Sequence, residues 1–170
     1  MKRLTLVRHA HAKLQAPPVT DFERPLSRRG KSEAKATALQ LFEQSLIPNL
    51  LIASPAKRTL QTAEILVRAL QVPERQLRHD ESLYLATADA LLNVIRGTGP
   101  RIEHLMIIGH NPGVSALANV LAPAAALGEF APAAACTMEF EVSSWSAVNA
   151  GSATNAARKS RAPRLFGLFK

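Results

Sequence analysis

Three stretches of this chain put cationic or imidazole side chains directly after apolar runs. Leu4-Thr5-Leu6-Val7 ends in Arg8-His9-Ala10-His11. Leu50-Leu51-Ile52-Ala53 is followed by Ser54-Pro55 and then Arg58. Leu105-Met106-Ile107-Ile108-Gly109 runs into His110-Asn111. A guanidinium is a planar fork of donors that matches phosphoryl or carboxyl oxygens. A neutral imidazole can attack phosphorus in line, and water can then hydrolyse the phosphohistidine formed. Two arginines and two histidines gathered in one place would make an anion clamp of the kind phosphoryl transfer needs. With no carboxylate among them they would repel one another in an empty site, so the expected occupant is a dianion. A general acid must protonate the leaving group, and Glu81, in a polar stretch after a short candidate strand, is the carboxylic acid expected in that role.

For these residues to meet, the apolar runs must lie side by side in one sheet. The pattern predicts strands over 3–8, 50–53, 105–109 and 137–142, the last alternating Met138, Phe140 and Val142 against Glu139 and Glu141. Helical stripes are expected over 28–44, 55–70, 88–96 and 113–121. Ser27 and Thr87 read as N-caps, as do the Ser54-Pro55 and Asn111-Pro112 pairs. Strands alternating with helices imply an α/β fold: three layers, α/β/α, around a mostly parallel sheet. In such a sheet Arg8-His9, Ser54 to Arg58 and His110-Asn111 emerge at the carboxyl edge, where ligands bind. Helices starting near Pro55 and Pro112 would also aim their free N–H groups there.

The length of 170 residues suits one domain, and 47% hydrophobic residues can fill its core. Aromatics make up 5%, which disfavours a module that stacks nucleic-acid bases on rings. The net charge of +8 is uneven. Arg158, Lys159, Arg161, Arg164 and Lys170 fall after position 150 with no acid among them. The division expected is therefore a domain over 1–149 and a basic, flexible tail over 150–170, with Leu165, Phe166, Leu168 and Phe169 near its end. Such a tail reads first as a solvated segment and second as a contact for nucleic acid or anionic lipid. Cys136 is the one cysteine, so no internal disulfide can form. No apolar run reaches the ~20 residues of a membrane span, and the first residues lack a signal-peptide pattern, so a cytoplasmic location is expected.

The His9-x-His11 pair is also how some metal hydrolases begin, but such a site needs further ligands at strand ends. The spare candidates are His79 with Asp80, and His104; neither follows a clear apolar strand, and both histidines read as surface residues. No metal and no cofactor are therefore expected, and His11 is expected to be a loop residue. Taken alone, Arg58 would be an ordinary surface arginine of its helix. Beside Arg8 and His110 it becomes a site residue.

The motifs resemble those of the histidine phosphatase superfamily, and more narrowly its small SixA-type phosphohistidine phosphatases. The resemblance rests on Val7-Arg8-His9-Ala10, on the run from Asp21 to Gly30, on Ser54-Pro55-Ala56-Lys57-Arg58-Thr59-Leu60-Gln61-Thr62-Ala63, on Leu83-Tyr84-Leu85-Ala86 and on Gly109-His110-Asn111-Pro112. These occur in the family's order over roughly residues 3–145. The resemblance implies a phosphoglycerate mutase-like fold and a metal-independent phosphatase. His9 would be the phosphorylated nucleophile, and Arg8, Arg58 and His110 would bind the phosphoryl oxygens. Glu81 matches the acid position of larger relatives only approximately. Ala10, where the superfamily usually has glycine, points to the SixA-like branch. The pocket-building insertions of sugar-phosphate mutases and phytases are missing, which implies an open site suited to a phosphohistidine on a protein. Small phosphoesters are the alternative substrates, and a non-catalytic module that binds phosphorylated ligands is the alternative of another class.

Overall fold

Strand β4 (His104–Gly109) is buried along its whole length, because both of its faces are covered. Leu105 and Ile107 point into one apolar cluster, and Met106 and Ile108 point into another. Such a two-sided apolar strand belongs in the middle of a parallel sheet. The computed structural model, described here for residues 1–159, places it between β1 (Lys2–Arg8) and β2 (Leu50–Ala53). Beyond β2 lies β3 (Leu77–His79); beyond β1 lie β5 (Ala135–Phe140) and β6 (Asn155–Lys159). β1, β2, β3 and β4 are mutually parallel. β5 runs antiparallel to β1, and β6 antiparallel to β5.

Helices α1 (Arg28–Glu43) and α2 (Lys57–Ala69) cover one face, with Ala34, Ala38, Leu41, Ala63 and Leu66 in contact with the sheet's Val7, Leu51, Met106 and Ile108. Helices α3 (Ala88–Arg96) and α4 (Gly113–Leu121) cover the other, joined there by Phe130, Phe140 and Trp145. The result is the three-layer α/β/α architecture with a mostly parallel sheet. Each fully buried leucine or isoleucine in these layers contributes about 1.5–3 kcal/mol.

Register decides where the functional stretches end up. Arg8 pairs with Gly109, and Ala53 with Ile108. The residues that follow β1, β2 and β4 therefore leave the sheet together.

The structure departs from the sequence reading in several places. β5 begins and ends two residues earlier than the alternation suggests, since its register against β1 stops at Lys2↔Phe140, where β1 begins. β6 lies in the segment expected to be flexible. It pairs through backbone groups from Ala135↔Lys159 to Glu139↔Asn155, and a strand held by backbone pairing leaves no alternating pattern to read. Leu165, Phe166, Leu168 and Phe169 lie outside the described residues. His104 is buried, not superficial: its ring bridges the Thr5 hydroxyl at 2.9 Å and the Ile47 carbonyl at 3.1 Å. His79 is exposed, as expected.

Ser27 and Thr87 do cap α1 and α3. At α1 the cap also ties down the turn after His9, because the Ser27 amide and hydroxyl both donate to the His11 carbonyl, at 2.9 and 3.1 Å. Gly30 makes this approach possible, since a Cβ there would stand 2.0 Å from the His11 carbonyl oxygen. Gly113 plays the same part at α4, where a Cβ would stand 1.9 Å from the Ala86 carbonyl oxygen. Backbone atoms cannot yield cheaply to such an intrusion. Gly30→Ala should therefore lower stability by about 1–3 kcal/mol in a urea titration, the usual cost of overpacking, and should depress activity through the displaced turn.

Candidate active site

His9 follows the last residue of β1, and its backbone is held on both sides. Its amide donates to Gly109 at 3.0 Å, and its carbonyl accepts from Ala133 at 3.2 Å. Its Nδ1 lies 2.8 Å from the carbonyl oxygen of Ala10. A carbonyl can only accept, so Nδ1 carries the proton and Nε2 keeps a lone pair. Arg58 confirms this tautomer, because its Nε–H donates to Nε2 at 3.2 Å. The next amide, Ala10, donates to Thr62 Oγ1 at 3.1 Å, and that hydroxyl donates to the Arg58 carbonyl at 2.7 Å. The nucleophile's turn and the first turn of α2 are thereby tied together.

Arg58 lies in the first turn of α2 and is 2% exposed. Its Nη2 is 3.3 Å from His110 Nδ1. Since the guanidinium only donates, His110 accepts on Nδ1 and carries its proton on Nε2, which donates to Ser54 Oγ at 2.7 Å. The two imidazoles stand edge to face, with centroids 5.2 Å apart. Ser54 was expected to cap α2; its hydroxyl serves His110 instead, and α2 starts at Lys57 without a side-chain cap. The Lys57 amide is not open to a ligand either, since it donates to the Phe22 carbonyl at 3.0 Å. Asn111 likewise leaves α4 uncapped. Its side chain accepts from Ser115 Oγ at 2.7 Å and donates to the Phe130 carbonyl at 3.0 Å.

Arg8 reaches the cluster from the end of β1. Its Nη1 donates to the Phe130 carbonyl at 2.6 Å and lies 3.9 Å from Glu129 Oε1. Its Nε is buried and has no hydrogen-bond partner among the described residues.

The structure thus joins His9, Arg58 and His110 by hydrogen bonds and sets Arg8 near enough to act on both imidazoles electrostatically, and it adds a residue that the sequence reading missed. Asp21, in the irregular segment between β1 and α1, accepts from Arg58 Nη2 at 3.0 Å and from the Tyr84 hydroxyl at 2.9 Å, both on Oδ2. Its Oδ1 takes Arg24 Nη2 at 2.8 Å. The expectation of a clamp without a carboxylate is therefore wrong: Asp21 neutralises part of the positive charge. No periodicity marks this residue, and its signal was confined to the run Asp21-Phe22-Glu23-Arg24-Pro25. Glu81 is not drawn in. It opens a single 3-10 turn, Glu81–Leu83, is exposed, and makes no hydrogen bond to the cluster. Tyr84, just beyond that turn, packs edge-on against His110 with centroids 5.5 Å apart, and Phe22 packs on Tyr84 at 5.1 Å.

His11 turns toward α1, with Nδ1 3.8 Å from Glu33 Oε2. Among the described residues no group of three His, Cys, Asp or Glu side chains is arranged to hold a metal ion. None of their helices is long and apolar enough to cross a membrane.

Electrostatics keeps both histidines neutral. Burial pushes His9 down to about 4, with Arg58 and Arg8 adding to the effect against the Ala10 hydrogen bond. Burial also pushes His110 down to about 3, helped by His9 and Arg58 and opposed by Asp21. Desolvation lowers Arg8 as well, against Glu129. For Asp21, burial opposes ionisation, but the Tyr84 hydroxyl and Arg58 hold the carboxyl below its usual range.

This sheet edge thus carries a buried guanidinium hydrogen-bonded to two neutral imidazoles, with a second guanidinium close by. The sequence profile of the histidine phosphatase superfamily (branch 1) matches residues 4–83. An uncharacterised chloroplastic protein of Arabidopsis thaliana is 31% identical over 131 residues, covering 72% of this chain and 60% of its own length. The chain thus spans less than two thirds of that relative. An uncharacterised protein of Mycobacterium tuberculosis is 33% identical over 113 residues, covering 66% of this chain and 68% of the relative. The crystal structure of a protein described as the putative phosphohistidine phosphatase SixA from Agrobacterium tumefaciens superposes with a TM-score of 0.76 at 26% identity, over 82% of this chain and 92% of that one. The chain belongs to the histidine phosphatase superfamily, and its fold is that of the SixA-type structures.

Three imidazoles, those of the buried His104 and His110 and of the partly exposed His9, are held neutral, with folded values of about 4 for His9, about 4 for His104 and about 3 for His110 against 6.5 in an exposed histidine. Between pH 6.5 and about 4 the unfolded chain therefore binds more protons than the folded one, so stability falls as pH falls. The unfolding free energy from urea titrations should drop across that window, by up to about 2 kcal/mol for each ring between pH 6.5 and 5. His104→Asn should flatten the slope without touching the active-site cluster.

Proposed function

We propose that the chain is a phosphatase that takes a phosphoryl group onto Nε2 of His9, with phosphohistidine on a protein as its substrate. The observation that carries this reading is the His9 tautomer. The Ala10 carbonyl accepts a hydrogen bond from Nδ1–H, and burial keeps the ring neutral, so Nε2 holds a lone pair throughout the physiological range. When Arg58 Nε–H turns from Nε2 to the incoming phosphoryl group, attack forms the Nε2–P bond as the bond from phosphorus to the leaving group breaks. Water then displaces His9 from phosphorus and releases inorganic phosphate. Arg8 and Arg58 hold the equatorial oxygens, where charge accumulates. His110 donates to the same oxygens once it has taken up a proton on Nδ1, which an adjacent dianion favours.

The choice of substrate rests on the carboxylates. Asp21 is held ionised by its partners, and Glu81 stands exposed outside the cluster. Neither of these two therefore offers a carboxylic acid proton to a leaving group at His9. An alkoxide leaving group depends strongly on such an acid. The imidazole of a phosphohistidine, or a phenolate, depends on it less. The rim also suits a protein-borne phosphoryl group: Phe22 is 41% and Leu85 57% exposed beside Tyr84, and Leu85 holds a left-handed backbone with φ of 50°. Exposed apolar side chains in strained backbone are common at binding sites.

The test uses chelator-treated protein with 4-nitrophenyl phosphate and with a phosphohistidine-carrying protein. His9→Ala should lose both activities by roughly a thousandfold or more. Rapid acid-free quenching of the wild type should trap an alkali-stable, acid-labile phosphoryl group on His9. Glu81→Gln should change either reaction by no more than about twofold. Activity that depends on added metal, or that survives the loss of His9, would rule out this mechanism. A kcat/KM higher for alkyl phosphates than for phosphohistidine would rule out the substrate.

A further inference from the structure

Arg58 and Arg8 stand differently in this site. Arg8 keeps a buried Nε with no hydrogen-bond partner among the described residues. Arg58 is engaged on every nitrogen: Nε on His9, Nη1 on the Asp21 carbonyl at 2.5 Å, and Nη2 on Asp21 Oδ2 at 3.0 Å and on His110. The Asp21 carboxylate thus occupies part of the guanidinium edge on which a phosphoryl oxygen would have to sit. It is also the outer partner. Its side chain is 35% exposed, against 3% for Arg58. Its own segment has separate supports, since Thr20 Oγ1 donates to Glu23 at 2.8 Å and Arg24 Nη1 donates to the Lys13 carbonyl at 3.0 Å. The loop therefore does not need the Asp21–Arg58 contact to hold its shape.

We propose that Asp21 is a built-in competitor for the phosphoryl group: its carboxylate holds Arg58 between turnovers, yields Nη2 to an arriving phosphoryl oxygen, and returns to it as inorganic phosphate departs. This inference rests on the reading of Arg58 as a phosphoryl ligand. The physical reasons are two. A buried guanidinium without a counter-charge is costly, and Asp21 removes that cost between turnovers. A site with two guanidinium groups and no internal anion would instead hold the product dianion tightly, so turnover would wait on its release. Asp21 therefore lowers the affinity for dianions and sets how readily the product leaves. Tyr84 and Arg24 tune it: the hydroxyl shares Oδ2 with Arg58, and the second guanidinium holds Oδ1.

The prediction has a sign opposite to that of a structural role. A residue that merely held Arg58 in place would, on removal, weaken phosphate binding. Removal of a competitor strengthens it. Binding of inorganic phosphate to the full chain is to be measured by calorimetry and by the phosphate-induced rise in melting temperature, neither of which depends on turnover. Asp21→Asn should bind phosphate roughly tenfold more tightly than wild type, the size expected on removing one unit charge about 6 Å from a dianion when the pair is screened nearly as in bulk water. The inhibition constant of phosphate should fall by the same factor wherever activity is measurable. Unchanged or weaker binding overturns the proposal. If Asp21→Asn shows no cooperative melt, Tyr84→Phe decides. Without the hydroxyl, Oδ2 is left to Arg58 alone, so phosphate should bind about two- to threefold more weakly, and equal or tighter binding overturns the proposal. Arg58→Gln separates the two levels of inference. If it binds phosphate as well as wild type does, the phosphoryl site itself has been misassigned and this proposal fails with it. If it binds poorly while Asp21→Asn does not gain, the site stands and the competitor role alone is lost.

Discussion

A buried guanidinium is the constraint on which the rest of the site depends. Arg58 is 2% exposed, and a charge so removed from water must find partners in the protein. It finds them on three sides: the neutral nitrogens of His9 and His110, and the carboxylate and carbonyl of Asp21. Each partner arrives from a different part of the chain. His9 ends β1, His110 follows β4, and Asp21 comes from the long segment before α1. The hydrogen-bonded centre therefore exists only when the sheet, α2 and that segment are assembled together.

The same burial settles the chemistry. Desolvation that would burden a protonated imidazole leaves both rings neutral. The surrounding carbonyl, hydroxyl and guanidinium groups then choose the tautomers, because a carbonyl accepts and a guanidinium donates. The outcome is directional: His9 presents Nε2 to the site and His110 presents Nδ1. Asp21, drawn below its usual range by Tyr84 and Arg58, supplies charge balance rather than a proton. On the proposed reading, a site built this way would stabilise transferring charge and give little help to a poor leaving group.

Tight backbone approaches make this precision possible. Gly30 lets α1 close on the turn after His9, and Gly113 lets α4 close on the segment that carries Tyr84. Thr62 joins the Ala10 amide to α2. These contacts lie beneath the reacting groups and fix their spacing, as a functional site on rigid elements requires.

By itself the sequence determined the fold class and four of the cluster's five charged or imidazole members. Apolar runs that end in Arg8-His9, Ser54 and His110 are local patterns, and a parallel sheet has one edge to which they can go. The caps at Ser27 and Thr87 were legible for the same reason, being contacts made within a few residues. Tertiary structure alone decided what depends on partners distant in the chain. Asp21 sits in a stretch without periodicity and acquires its role by meeting Arg58 and Tyr84. Glu81 has the right chemistry but faces solvent. Ser54 looked like a cap and serves His110 instead. His104, polar and apparently superficial, is buried between Thr5 and Ile47. β6 is held by backbone pairing, which leaves no mark on side-chain pattern. Residue type and spacing place groups on an edge of the sheet; which group faces which is set by side-chain packing across the fold, and sequence pattern does not encode that locally.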